Sequence, residues 1–171
     1  MKRIIIVTLL LAPCGVAEAQ RLDTISHLRP EHMEVVKRWL AASPRRANLR
    51  VATERDCRNR EGLTEYRKQE GKNYNPYYAV GNFNRDGKED FAVAFVNDRK
   101  RQRKFSLAIF NGPLSNNSVP AYIDENVDLS VMGFFYGGKG GDLLLGEFES
   151  DYCVILRPRG KTYKGQPCLE D

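Results

Sequence analysis

Oxygen-bearing side chains recur at alternate positions between residues 82 and 90, and this spacing suits the binding of a hard cation. The five candidate ligands, with the lysine counted for its backbone carbonyl, are Asn82, Asn84, Asp86, Lys88 and Asp90. Ca²⁺ prefers six to eight oxygen ligands at about 2.3–2.6 Å, and a tight turn directs alternate residues inward. Gly87 permits the left-handed backbone that such a turn needs. The sequence therefore predicts a calcium loop with two direct carboxylates, Asp86 and Asp90.

The residues around this loop exclude one calcium motif and resemble another. Position 12 is Val93 where an EF-hand needs a bidentate glutamate, and a strand is predicted where an EF-hand has a helix. Residues 81–93 are instead similar to the loop of FG-GAP and VCBS repeats, Gly-Asp-Phe-Asn-Gly-Asp-Gly-x-x-Asp-hydrophobic-Ala-Val. The resemblance covers one repeat, about residues 77–110. It implies a calcium loop that joins two adjacent strands.

The resemblance is limited in two ways. Family members often carry several repeats in propellers of cell-surface adhesion proteins, whereas this chain has one, so neither the propeller nor adhesion carries over. Asn82 stands where the family usually has aspartate. Because fewer charges weaken binding, we expect a dissociation constant of roughly 10⁻⁴–10⁻³ M. The alternative is a metal-free hairpin turn in which asparagine and aspartate side chains cap the backbone.

A second charged motif is the basic run at residues 99–104, between two predicted strands. Its five cations are Arg99, Lys100, Arg101, Arg103 and Lys104. Such a run can contact an anionic polymer, for example a lipopolysaccharide, a teichoic acid or a heparin-like glycan. No nucleic-acid partner is expected, because the run lacks the interleaved aromatic residues on which single-stranded bases stack. The alternative is a solvated turn whose charge protects the sheet edge.

No arrangement of residues indicates a catalytic site. Glu147, Glu149 and Asp151 alternate, and paired carboxylates can hydrolyse glycosides, but the sequence locates neither a cleft nor a second partner. We therefore expect them to be surface acids. His27 and His32 are five residues apart and do not stack on one helical face, so surface or capping roles are expected. The chain is predicted not to be an enzyme.

The N-terminus has the composition of a secretory signal peptide over residues 1–19. A basic start precedes an apolar run at residues 4–12, and residues 17–19, Ala-Glu-Ala, fit the cleavage pattern. The apolar run is too short for a stable anchor, and no later run approaches transmembrane length. We expect an exported protein, periplasmic or extracellular. Lipid attachment at Cys14 is disfavoured, because Pro13 interrupts the lipobox pattern.

Three cysteines remain after that cleavage: Cys57, Cys153 and Cys168. An export compartment permits disulfides, so one bond and one leftover thiol are expected. A Cys153–Cys168 bond closes the shorter loop. A Cys57–Cys153 bond would stabilise more by restricting the unfolded chain. The sequence leaves both pairings open.

Secondary structure is predicted to change from helical to strand-rich along the chain. Apolar residues at helical spacing predict an amphipathic helix at residues 29–42. The polar segment 45–76 is expected to hold a short strand at 50–54 and a short helix at 63–70. Further strands are expected at residues 77–81, 91–96, 105–110, 121–123, 131–136, 143–148 and 152–156. Short connections between these strands favour antiparallel pairing.

The predicted fold is one α+β domain over residues 20–171, with an N-terminal helix followed by an antiparallel β-sheet of six to seven strands. With 171 residues the chain is too short for a (β/α)₈ barrel, which needs about 250. A hydrophobic content of 42% excludes a wholly disordered chain. The formal net charge is +5.

One internal similarity links two parts of the predicted sheet. Residues 78–93 and 144–154 both run from an apolar strand through Gly-x-Phe to Asp-aromatic-x-Val, with an insertion in the first copy. Two hairpins with the same binary pattern would explain it equally well.

These features favour an exported small binding or structural module with a calcium-stabilised hairpin loop. Its partner is expected to be a protein or a cell-surface polymer, and no oligomeric state is predicted. An alternative is an exported enzyme inhibitor or accessory protein that uses the basic run and needs no metal. A third hypothesis is a hydrolase, which has little support because the catalytic inventory is thin.

Overall fold

The structure is a computed structural model that describes residues 27–97, 105–137 and 141–168. The predicted signal peptide, Cys14 and the basic run at residues 99–104 lie outside the described residues. Within the described part of the chain, no helix is long and apolar enough to cross a membrane.

Two α-helices and nine β-strands make up the described fold, which is α+β as the sequence predicts. Helix α1 spans Pro30–Ala41 and helix α2 spans Arg60–Glu70, with 3₁₀ turns at Pro44–Arg46 and Glu54–Asp56. The strands are β1 Leu49–Val51, β2 Tyr78–Gly81, β3 Asp90–Asn97, β4 Phe105–Phe110, β5 Tyr122–Val127, β6 Met132–Gly137, β7 Asp142–Glu147, β8 Cys153–Arg159 and β9 Thr162–Pro167.

The strands form two antiparallel sheets where the sequence predicts one. Sheet I has five strands in the order β1-β3-β4-β5, with β2 also paired to β3, and sheet II has the order β6-β7-β8-β9. The prediction of one sheet was wrong because an alternating pattern identifies a strand but not its neighbours. Strand β9 was missed because Tyr163 is its one buried residue.

Strand β3 lies at the centre of sheet I and is buried on both faces. Phe91 and Phe95 lie on the face covered by α1, where Trp39 contacts Phe95 with ring centroids 5.2 Å apart. Ala92 and Ala94 lie on the opposite face, in the core shared with sheet II. The layers therefore run from α1 through sheet I to sheet II. A nearly continuous apolar run is what a strand buried on both faces requires.

The cysteines settle the pairing that the sequence left open. Cys153 and Cys168 form a disulfide, with Cα atoms 5.3 Å apart, that joins the start of β8 to the end of β9. Cys57 is a buried free thiol whose pKa is raised by burial. The bond that closes the shorter loop is therefore the one that forms.

The internal similarity corresponds to two hairpins, one in each sheet. In the β2–β3 hairpin Gly81 pairs with Asp90, whereas in the β7–β8 hairpin Gly146 pairs with Cys153. Asp151, which matches Asp90 in the sequence pattern, therefore lies in a turn and not in a strand.

Candidate metal centre in the β2–β3 loop

The loop at residues 82–90 closes the β2–β3 hairpin and is fixed to both sheets. Gly81 and Asp90 form the last strand pair before it. Phe83 is fully buried and meets the Tyr136 ring edge-on, with centroids 5.5 Å apart. The Tyr136 hydroxyl accepts a hydrogen bond from Asn82 N–H at 3.3 Å. Strand β6 of sheet II therefore supports the start of the loop.

Hydrogen bonds from backbone N–H groups to side-chain and carbonyl oxygens link the candidate ligands along the loop. Asn84 Oδ1 accepts Asp86 N–H at 3.0 Å, and Asp86 Oδ1 accepts Lys88 N–H at 2.8 Å. The carbonyl oxygen of Asn82 accepts Arg85 N–H at 3.3 Å. These bonds are typical of turns in which asparagine and aspartate cap the backbone. The structure thus joins four of the five candidate ligands in one tightly turned segment.

Two residues with left-handed backbone give the loop its curvature. Arg85 has φ 63° and Gly87 has φ 83°. Glycine adopts this conformation at no steric cost, whereas an arginine does not. The Arg85 guanidinium donates to Asp142 Oδ1 of sheet II at 2.7 Å, and Asp142 Oδ2 lies 3.6 Å from Arg157 Nε. This ion pair between the sheets helps to hold Arg85 in its conformation.

Asp90 closes the loop with a carboxylate that is fully buried. Its Oδ2 accepts Asn84 N–H at 3.1 Å and its Oδ1 accepts Gly112 N–H at 2.8 Å. Desolvation raises the pKa of Asp90 above its ordinary value, and the charge of Asp86 adds to the rise, while backbone hydrogen bonds oppose it. A cation placed beside such a carboxylate would favour its charged form.

The candidate ligands of the loop keep acceptor capacity beyond the hydrogen bonds that they accept. Asn82 Oδ1, at the first ligand position, is buried and has no hydrogen-bond partner among the described residues. Such an atom costs free energy unless something binds it. Amide and carboxylate oxygens have two lone pairs each, so the oxygens of Asn84 and Asp86 each keep one beside the bond that they accept.

The candidate ligands of the loop include few carboxylates. Across the described ranges, no group of three or more histidine, cysteine, aspartate or glutamate side chains is placed to hold a metal ion. A cation at the loop therefore depends on amide and carbonyl oxygens as well as carboxylates, which weakens affinity. The residues that would hold it are the side chains of Asn82, Asn84, Asp86 and Asp90 and the carbonyl of Lys88.

Glu89, the neighbour of Asp90, ties the loop to helix α1. Its Oε1 accepts a hydrogen bond from Arg29 Nη1 at 2.7 Å and lies 3.8 Å from His32 Nε2. Arg29 is the N-cap residue of α1. The loop is therefore connected to the helix layer as well as to sheet II.

His32 is buried, contrary to the expected surface or capping role. Its ring is 1% exposed and stacks on Phe91, with centroids 4.2 Å apart, and its Nδ1 lies 2.7 Å from Tyr78 Oη. Desolvation lowers the pKa of His32, although the charges of Glu31 and Glu89 oppose this. Helical spacing could have predicted this burial. His32 lies three and four residues before Val35 and Val36, which are buried on the same face of α1 together with Trp39.

The alternating acids of the β7–β8 hairpin, expected at the surface without a cleft, line a groove. Glu147, Glu149 and Asp151 share this groove of about 650 Å³ with Glu65 and Tyr66 of helix α2. The sequence could not show the groove, because its two walls come from distant parts of the chain.

The segment that resembles an FG-GAP or VCBS repeat, about residues 77–110, contains β2, the loop, β3 and β4. Comparison with protein-family models, curated proteins and solved structures finds no match for this chain. The resemblance stays a prediction that depends on residues 81–93.

Proposed function

We propose that this protein is an exported binding or structural module whose β2–β3 loop binds Ca²⁺ and is stabilised by it. The observation that carries the proposal is the buried and unpartnered Oδ1 of Asn82, in a loop that ends on the buried carboxylate of Asp90. Burying the amide oxygen without a hydrogen bond costs free energy, and so does burying a carboxylate that no cation balances. The resemblance to FG-GAP and VCBS loops supports the same cation. The predicted signal peptide supports export, and weak calcium sites are typical of extracellular modules.

Calcium at this position would act mainly on the rigidity of the fold. The ion would supply positive charge near Asp86 and Asp90. This charge would offset the free-energy cost of burying the Asp90 carboxylate. The loop reaches α1 through Glu89 and sheet II through Arg85. Ordering the loop therefore also fixes the contacts between three layers of the molecule.

The proposed partner is a protein or a cell-surface polymer. The basic run at residues 99–104 is the proposed contact for an anionic polymer, since it concentrates positive charge in six residues. Replacement of Arg101 and Arg103 by alanine should weaken retention on a heparin column. Unchanged retention would remove this run from the proposal.

Thermal unfolding in calcium and in EDTA tests the proposal. With a dissociation constant near 1 mM, about 10 mM CaCl₂ should stabilise the wild-type protein by about 1.4 kcal/mol. For a chain of this size the melting temperature should rise by roughly 3–6 °C. An Asp86→Ala variant should lose the rise, whereas Asp151→Ala, which removes an exposed aspartate from the other hairpin, should keep it.

Two results would contradict the calcium assignment. One is a wild-type melting temperature that is the same in calcium and in EDTA. The other is an equal rise in the wild type and in Asp86→Ala, which would place calcium outside the loop. An equal concentration of MgCl₂ controls for ionic strength, and it should give a smaller rise because Mg²⁺ sheds its water reluctantly.

A further inference from the structure

A groove of about 650 Å³ lies between helix α2 and sheet II, well within the range of ligand sites. Tyr66 of α2 forms one wall, and Phe135 and Leu144 of sheet II form the other. The neighbours of these two strand residues, Phe134 and Leu143, belong to the core shared with sheet I. Because side chains alternate along a strand, the groove occupies the outer face of sheet II.

Aromatic rings form much of the groove surface. Tyr66 contacts Phe135 and Phe148, with ring centroids 4.7 Å and 6.0 Å away. Gly146 makes room for them, because a Cβ there would lie 2.6 Å from Phe135 Cε2. Tyr152 also lines the groove and is 56% exposed. The negative faces of such rings attract ammonium and guanidinium groups.

Four carboxylates line the same groove: Glu65, Glu147, Glu149 and Asp151. Glu65 forms an ion pair with Lys68 on its own helix. In the part of the chain that the structure describes, the other three have no lysine or arginine within salt-bridge distance. The groove is thus acidic on a chain whose formal net charge is +5. Its charge complements that of a cationic ligand.

The acidic turn of the groove is held in place by the N-cap of helix α2. Asn59 Nδ2 donates to Glu149 Oε2 at 2.9 Å and to the carbonyl oxygen of Phe148 at 3.3 Å. Asn59 Oδ1 accepts Gly62 N–H at 2.8 Å, which caps the helix. A turn that is already fixed lowers the cost of ordering on binding.

We propose that this groove binds a lysine- or arginine-bearing segment of a partner protein. The cationic groups would lie between the ring of Tyr152 and the carboxylates of Glu147 and Asp151. Their aliphatic stems would cover the apolar surface around Phe135. Aromatic rings attract ammonium and guanidinium groups, whereas a hard metal ion prefers oxygen ligands. The proposal names a partner class for the binding role proposed above, but it uses none of the calcium-loop residues.

Titration of a fluorescein-labelled hexa-arginine peptide, followed by fluorescence anisotropy, tests this groove. The full chain should bind the peptide at about 0.15 M salt, and an uncharged hexa-serine peptide should not bind. A Glu147→Gln/Asp151→Asn variant should bind at least about tenfold more weakly. Tyr152→Ala should weaken binding about threefold to tenfold.

The matched control removes the same charge elsewhere. Glu31→Gln/Glu34→Gln lies on helix α1, across sheet I from the groove, and should leave peptide affinity unchanged. Circular dichroism melting of each variant identifies any variant that fails to fold. Equal weakening in the control, or no binding by the wild type at peptide concentrations up to about 1 mM, would overturn the proposal.

Two further measurements distinguish this proposal from the calcium proposal and from self-association of the chain. Titration in calcium and in EDTA should give the same affinity, so the groove can hold even if the calcium assignment fails. Analytical ultracentrifugation of the protein alone tests occupation by a second copy of this chain. Self-association that is lost in Glu147→Gln/Asp151→Asn, together with no peptide binding, would overturn the proposal in favour of that second copy.

Discussion

The β2–β3 and β7–β8 hairpins share a sequence pattern but place their acidic residues oppositely. Each runs from an apolar strand through Gly-x-Phe to an aspartate followed by an aromatic residue. Asp90 is fully buried, whereas Asp151 is exposed. The aromatic residues differ in the same way, because Phe91 is fully buried and Tyr152 is exposed. The pattern therefore indicates a hairpin without indicating which way its acid faces.

Loop length explains this difference. The insertion at residues 84–89 lets Asp90 return to the strand ladder opposite Gly81. The shorter β7–β8 connection resumes pairing at Cys153, so Asp151 stays in the turn. In the first hairpin, acidic and amide oxygens turn inward to backbone N–H groups. In the second, carboxylates line an open groove.

The helices support the two hairpins in a similar way. Arg29, the N-cap residue of α1, pairs with Glu89 beside the first loop. Asn59, the N-cap residue of α2, donates hydrogen bonds to the second turn. The first contact is half exposed and ionic, while the second also caps the helix. Each hairpin turn is thus connected to the start of one helix.

Removal of the buried acid should have the largest effect. Asp90→Ala leaves the N–H groups of Asn84 and Gly112 without their acceptor and should lower the free energy of unfolding by about 3 kcal/mol. Asp151→Ala at the exposed equivalent should change it by less than about 0.5 kcal/mol. Urea unfolding of the two variants measures both values. Similar losses in both would mean that the two hairpins do not differ as described.

The two N-cap residues should differ by a smaller amount. Asn59→Ala removes a helix cap and two hydrogen bonds to the β7–β8 turn, so we expect a loss of about 1–2 kcal/mol. Arg29→Ala removes a half-exposed ion pair and should cost about 0–1 kcal/mol. Urea unfolding at low and high salt distinguishes them, because salt screens only the ion pair. A larger loss in Arg29→Ala would reverse this order.

A pH change should affect the first hairpin and spare the second. Burial lowers the pKa values of His27 and His32 below 6.5, so the unfolded chain binds more protons than the folded chain below that pH. Stability should therefore fall as the pH drops from about 7 to 5.5. The groups that face His32 are Tyr78, Arg29, Glu31 and Glu89.

Hydrogen exchange measures this effect locally. Protection factors in α1 and β2 should fall at the lower pH, whereas those in β7 and β8 should not. His32→Gln should remove part of the fall. An equal fall in both hairpins would contradict the assignment to the histidines.

Much of the fold was predictable because it depends on local patterns. Strand β4 lies at residues 105–110 as predicted, and α1 lies within one residue of its predicted ends. The division into two sheets was not predictable, since strand pairing depends on contacts between distant segments. The mostly exposed strand β9 carries too weak a pattern to be seen.

The same distinction between local patterns and distant contacts applies to the candidate sites. The five candidate ligands of the loop are local in sequence, so spacing alone could name them. The groove was not predictable, because Tyr66 and Phe135 meet only in the folded chain. Burial of His32 depends on Phe91, which comes from a different element.

Calcium titration followed by amide NMR shifts is the most direct test of the comparison. The β7–β8 turn also carries two exposed carboxylates, Glu149 and Asp151, so non-specific attraction of the ion would shift its residues as well. We predict saturable shifts at residues 82–90, with half-saturation at roughly 0.1–1 mM Ca²⁺, and none at residues 147–152. Shifts at residues 147–152 without shifts at residues 82–90 would contradict the assignment of calcium to the β2–β3 loop.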